Sequence, residues 1–183
     1  MSEDAKLAKD IKTIKYHLGE AYDFYRSFIY NKEHQSILKD HGFHFAGSVA
    51  SVNWEVFASI LTGDRGKEGY GSDLINHEVK SSVDGSSFEY QYHLNAGEIK
   101  LQEDMEVNHI FISYSKDYKD VEVRLLEGSK LKDTFEKWMP GLIENYAGAT
   151  PKQRYRKSVS YGFVKINGIL ILKIQNGNLV DRV

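Results

Sequence analysis

Apolar residues recur every three or four positions from residue 4 to about 40: Leu7, Ile11, Ile14 and Leu18, then Tyr22, Tyr25, Phe28 and Ile29. That period sets them on one face of a helix, and no Pro interrupts it. "KDHGFHFAGS" is a turn-rich break. "SVASVNWEVFASILTG" predicts a second helix, with Ser51 or Asn53 as its cap and Gly63 as its stop. Beyond the loop "DRGKEGYGSD", which holds three glycines, the period falls to two. "DLINHEVKSS" alternates, "SSFEYQYHLN" places aromatics at every second position, and "NHIFISYS" reads as a buried strand with "VEVRLLEG" as its neighbour. Helical spacing returns at Leu131, Phe135, Trp138 and Leu142, with Ser129 as a cap and Pro140 expected to kink or divide the helix. "ATPKQRYRKS" reads as a basic loop. "VSYGFVKINGILILKI" reads as two strands joined by an Asn-Gly turn.

Helices, three or four strands, a helix and a hairpin make a mixed α/β fold with a central sheet. The length of 183 residues suits a single domain, 1–183. Its parts are a helical N-terminal portion at 1–48, a core at 49–127, and a helix, basic loop and hairpin at 128–183. The apolar surface of the first portion exceeds what a short helix needs for its own core, so it is expected to help form a dimer.

The absence of cysteine excludes disulfides, thiol nucleophiles and Cys-based zinc sites. The N-terminus lacks the apolar core of a signal peptide, and no apolar run approaches the ~20 residues needed to span a membrane. The expectation is a soluble, cytoplasmic protein. Net charge is −2, yet from Asn145 to Val180 there is no Asp or Glu. Lys152, Arg154, Arg156, Lys157, Lys165 and Lys173 give that stretch +6, which leaves −8 for the remainder. Such segregation points to a local anionic partner.

Five Asp/Glu-x-Lys triplets occur, at 4–6, 10–12, 78–80, 98–100 and 117–119. The first two lie in a predicted helix, where positions two apart diverge by about 200°. The triplet at 117–119 lies in a polar turn, and the one at 98–100 has only Glu89 as a nearby upstream acid. Only Glu78-Val79-Lys80 combines a predicted strand, a Gly-rich loop and an upstream Asp, Asp73. On a strand Glu78 and Lys80 share a face while Val79 points to the core. A tight hairpin turning at Asn76-His77 would set Asp73 opposite Lys80, Ile75 opposite Glu78, and Leu74 against Val79. Two carboxylates so placed suit Mg²⁺, and a neighbouring Lys can hold the attacking water or balance charge on a phosphate. The same residues equally fit an exposed hairpin with a surface ion pair.

"GYGSDLINHEVKSS" resembles the active-site motif of the PD-(D/E)XK nuclease superfamily, above all type II restriction endonucleases. "NWEVFASILTG" looks like the helix that often supplies a further acid, and "GKEG" and "YHLN" look like pieces of the PvuII restriction enzyme. The close match covers residues 53 to 82. Ser72 stands where the superfamily name has Pro, and only four residues separate Asp73 from Glu78. The resemblance implies a restriction-endonuclease-like mixed central β-sheet flanked by helices. It implies Asp73 and Glu78 as metal ligands with the Val79 carbonyl, Lys80 as the water-positioning group, Glu55 as a secondary acid, and Glu68 as the acid to stand in for Asp73. The cofactor would be Mg²⁺, with Mn²⁺ able to substitute. The implied activity is sequence-specific cleavage of double-stranded DNA by a homodimer. A repair or mobile-element nuclease, or a non-catalytic DNA-binding module, is the alternative.

Lys152, Arg154, Arg156 and Lys157 interleave with Tyr155, and cations so placed can neutralise phosphates, while Arg can read guanine. Tyr92, His93 and Asn95 follow the catalytic strand and join them as expected DNA contacts. His41 and His44 form H-x-x-H with no evident third ligand.

Overall fold

The buried strand "NHIFISY" organises the molecule. In the computed structural model, which describes residues 16–69, 71–147 and 150–180, it is β3 (Asn108–Tyr114), and it is covered on both faces. Ile110 and Ile112 point into one core, and Phe111 points into another. β3 pairs in parallel with β1 (His77–Val83) and antiparallel with β4 (Val121–Leu126). β6 (Ile169–Gln175) and the short β7 (Asn178–Leu179) complete a mixed five-stranded sheet of order β1-β3-β4-β6-β7. A separate antiparallel pair joins β2 (Phe88–His93) to β5 (Arg154–Val159).

Helices lie on both faces. α1 (Leu18–Phe24) runs into a π-turn at Tyr25–Ile29, followed by α2 (Lys32–Asp40). The single helix expected here is therefore broken, because the Asn31 side chain accepts from the His34 amide at 2.9 Å and caps a new one. Leu7, Ile11 and Ile14 lie outside the described residues. Tyr25 is not available to a partner: its ring is wholly buried and its hydroxyl donates to the Tyr118 carbonyl at 2.7 Å.

α3 (Ser51–Thr62) buries Trp54, Phe57, Ala58 and Leu61 against the sheet and stops at Gly63, whose φ of 72° is the left-handed cap. Its N-cap is Ala50, without a side-chain bond, rather than Ser51 or Asn53. α4 (Gly97–Asp104), α5 (Gly128–Tyr146) and α6 (Tyr161–Asn167) follow. α5 continues through Pro140 undivided. Trp138 and Leu142, on either side of the proline, are both held in the second core, and that packing outweighs the lost backbone bond. Its N-cap is Glu127, not Ser129.

Two corrections concern the C-terminal part. The basic stretch is strand β5, not a loop, since its tyrosine and valine pack inward while Arg154 and Arg156 point out. Residues 161–167 are helical, not the first arm of a hairpin. Ser160 Oγ accepts from the Phe163 amide at 3.2 Å, and this cap starts a helix that buries Val164. The Asn-Gly hairpin lies nine residues later than Asn167-Gly168, at Asn176 (φ 51°) and Gly177 (φ 75°), joining β6 to β7.

Candidate active site

Glu78 and Lys80 sit on β1, and Val79 between them enters the first core. The route by which Asp73 reaches them differs from the sequence expectation. The chain at 73–75 does not pair with 78–80. It pairs back on the preceding loop, through Lys67 N to Asp73 O (3.0 Å), Ile75 N to Arg65 O (2.9 Å) and a bridge between Gly66 and Leu74. β1 instead uses β3 as its neighbour. Asp64 fixes the corner between these segments, accepting from the Asn76 amide at 2.8 Å and pairing with His77 Nδ1 at 2.8 Å. Ile75 is exposed, and Leu74 shares the first core with Val79.

The outcome still brings the two acids together. The Asp73 amide donates to Glu78 Oε2 at 3.2 Å, and the Val79 amide donates to Asp73 Oδ2 at 3.0 Å. Each acid thus holds the other's backbone neighbourhood. Glu78 is fully buried. Its Oε1 accepts from Lys80 Nζ at 2.5 Å and from Lys100 Nζ at 2.9 Å. Burial disfavours the Glu78 charge, but Lys80 and Lys100 outweigh it and hold the carboxyl below its ordinary range. Asp73 moves the other way, raised by burial and then by the Glu78 charge. Glu55, half-buried on α3, is raised by burial and by Asp73 and Glu78, which sets it within the field of the cluster. Glu68 is exposed.

Lys100 is the residue that sequence reasoning missed. Glu98-Ile99-Lys100 reads as a decoy triplet, and on α4 it does diverge: Ile99 is exposed while Lys100 turns inward. Besides Glu78, its ammonium donates to the Gly71 carbonyl at 2.8 Å and lies 3.6 Å from Asp104 Oδ1. Burial works against its charge, yet Glu78 and then Asp104 raise its pKa. The helical i, i+4 pairing of Lys100 with Asp104 was the available signal.

Behind the lysines stands a buried polar layer. Tyr92 donates to Asp104 Oδ2 at 2.9 Å, Tyr90 OH meets His109 Nδ1 at 2.8 Å, and His109 Nε2 meets the Asp104 carbonyl at 2.7 Å. A neutral His109 with its proton on Nε2 satisfies both contacts, and burial lowers its pKa to about 4. Burial, then Glu78, raises Asp104 to about 7. Lys80 Nζ lies 4.8 Å above the Tyr90 ring.

Among the described residues, no group of three or more His, Cys, Asp and Glu side chains forms a metal cluster. Asp73 and Glu78 are nonetheless hard oxygen donors that hold each other in place, a donor set that fits a divalent ion completed by a backbone carbonyl and water. His41 and His44 are both exposed, in the loop after α2.

The expected DNA contacts divide between two faces of the β2–β5 ribbon. Arg154 pairs with His93 and Arg156 with Gln91, so these side chains share the outer face. Tyr92 pairs with Tyr155 on the inner face and is wholly buried, so it is a core residue and not a DNA contact. Lys157 also belongs to the inner-face register, and its Nζ lies 5.4 Å over the Tyr155 ring. Lys152 and Asn95 are exposed beside the ribbon. No family model matches this chain, and no curated protein matches it. Among the described residues, no helix is long and apolar enough to cross a membrane.

Proposed function

We propose that this chain is a Mg²⁺-dependent endonuclease that cuts double-stranded DNA at specific sequences, in the manner of type II restriction enzymes. The observation that carries the reading is the interlocked pair Asp73–Glu78 with the Lys80 ammonium 2.5 Å from Glu78. Asp73 and Glu78 would hold the divalent ion, with the Val79 carbonyl beside them. A bound ion supplies Lewis-acid polarisation of the phosphate and a lowered pKa for its attached water. Lys80 orients the attacking water and balances the charge that grows on the phosphate. Glu55, whose pKa burial and then Asp73 and Glu78 raise, would take up the proton that the attacking water releases.

The outer face of the ribbon supports DNA as the substrate. Arg154, Arg156 and His93 project together from two strands, and a two-stranded ribbon fits the major groove. A palindromic target calls for a two-fold assembly, so the working form is a homodimer. The test is incubation with long duplex DNA and Mg²⁺. Discrete fragments support the reading, and a smear or structure-dependent cutting favours a repair or mobile-element nuclease. No cleavage with any divalent ion would remove it.

One observation favours a second reading. The Glu78 carboxylate is already met by two lysines, as it would be in a purely structural ion-pair network of a DNA-binding module. Binding of duplex DNA without cleavage would establish that alternative.

A further inference from the structure

Lys100 has two seats, and the structure occupies one of them. Its ammonium lies on Glu78 Oε1 at 2.9 Å. The second seat is Asp104 Oδ1, 3.6 Å from the same nitrogen, a buried oxygen with no hydrogen-bond partner. A buried carboxylate oxygen left without a donor is costly, and cores rarely keep one without a use. Asp104 Oδ2 is held by the Tyr92 hydroxyl and the Asp104 carbonyl by His109, so the side chain cannot turn away to find water.

We propose that Lys100 is a built-in counter-cation of the active site, which leaves Glu78 for Asp104 when a divalent ion arrives. The inference rests on the reading of Asp73 and Glu78 as metal ligands. Without the ion, Glu78 is a fully buried carboxylate whose charge Lys80 alone would have to balance, and Lys100 completes that balance. With the ion, an ammonium on the same oxygen would be a like charge at contact distance. Movement toward Asp104 by less than ~1 Å closes the 3.6 Å gap to hydrogen-bonding distance, relieves this and gives Asp104 Oδ1 its missing donor. The bond from Lys100 to the Gly71 carbonyl ties the shift to the loop that precedes Asp73. Lys100 is thus a positioning residue that sets the affinity of the metal site, whereas Lys80 serves the reaction itself.

The experiment is calorimetric titration of the whole protein with Mn²⁺ in the absence of DNA, at a pH well above 7 so that Asp104 carries its charge. Lys100→Met removes the competing cation, so Mn²⁺ should bind about tenfold or more tightly than to the parent. Asp104→Asn removes the charge of the second seat and should weaken binding to the parent protein, yet have little effect in the Lys100→Met background. A crystal structure with Mn²⁺ should place Lys100 Nζ within hydrogen-bonding distance of Asp104 Oδ1. Weaker or unchanged Mn²⁺ binding in a folded Lys100→Met variant overturns the inference, as does Lys100 remaining on Glu78 beside bound Mn²⁺. Should Lys100→Met fail to fold, the Asp104→Asn titration and the Mn²⁺-bound structure decide. If the parent itself takes up no Mn²⁺, the metal-site reading fails together with this one, an outcome distinct from binding that ignores Lys100.

Discussion

Lys80 Nζ rests 2.5 Å from Glu78 Oε1, two residues away on the same strand, while the Val79 amide between them donates to Asp73. Three consecutive positions of β1 thus serve the cluster, two with side chains and one with backbone. Glu78→Gln keeps the shape and removes the charge, so cleavage should be lost while the fold survives. Glu78→Ala leaves two lysines facing a buried gap and should also cost several kcal/mol of stability. Lys80→Ala should abolish cleavage. Glu98→Ala, exposed on α4, and Asp117→Ala, in the turn after β3, should remain active. Cleavage assays beside thermal melts check all of these, and active Glu78→Gln would sink the assignment.

The pair Asp104 and His109 predicts a pH signature. The folded pKa of Asp104, about 7, lies above its ordinary 3.8, so the folded protein holds a proton there that the unfolded chain releases. Stability from this source falls as pH rises from about 4 to about 7. His109 is depressed to about 4 from an ordinary 6.5, so its contribution falls as pH drops through that same window. The two slopes oppose each other in the wild type. Asp104→Asn removes one of them, and melts should then show stability dropping below about pH 6.5 and level above it. A variant whose melting profile matches the wild type across this range would contradict the assignment.

Gly71 offers a test of the loop that precedes Asp73. Its φ is 120°, and a Cβ there would meet the Glu103 carboxylate at 2.1 Å. Gly71→Ala should cost roughly 1–3 kcal/mol through backbone strain. It should also displace the carbonyl that accepts from Lys100, so activity should fall further than stability does. Parent-like activity in a destabilised Gly71→Ala protein would separate the loop from the site.

For DNA, the two faces of the β2–β5 ribbon predict different phenotypes. Arg154→Ala and Arg156→Ala, on the outer face, should each cost roughly 1–3 kcal/mol on the preferred site and much less on random sequence. Lys152→Ala should weaken binding to all sequences alike and flatten the salt dependence by about one phosphate contact. Salt titrations in Ca²⁺ measure both. A variant lacking all of these cations that binds with the parent's affinity and salt slope would move recognition elsewhere.

What the sequence made legible follows from local physics. β3 and β4 were readable because short apolar runs bounded by polar residues leave little alternative to a buried strand. α3 was readable from its spacing and its terminal glycine. The failures share a cause, which is that distant partners decided the outcome. Residues 154–159 carry too many cations to read as a strand until β2 supplies the edge they pair with. Tyr92 alternates as a surface strand would, but its outer neighbours are Gln91 and His93, and the tyrosine itself faces the core. Asp73 and Glu78 do meet, as their spacing suggested, though through the amides of Asp73 and Val79 rather than a hairpin register. Lys100 was missed because its signal, the i, i+4 pairing with Asp104, has meaning only once residues 97–104 are known to be helical, and the triplet spacing says nothing of that.

The hairpin at Asn176–Gly177 also governs when the protein can exist. Tyr22 donates its hydroxyl to the Gly177 carbonyl at 2.9 Å across 155 positions of sequence, and β6 lies within the sheet between β4 and β7. The first core, which anchors Val79, draws Ile171, Leu172 and Ile174 from β6. Contacts this distant in sequence close late and slow the search for the native state. During synthesis, β4 therefore waits with an open edge until residues 169–179 have left the ribosome. Nascent chains halted before Ile169 should remain protease-sensitive and without a formed β1 site, so the candidate site can mature only once β6 has emerged.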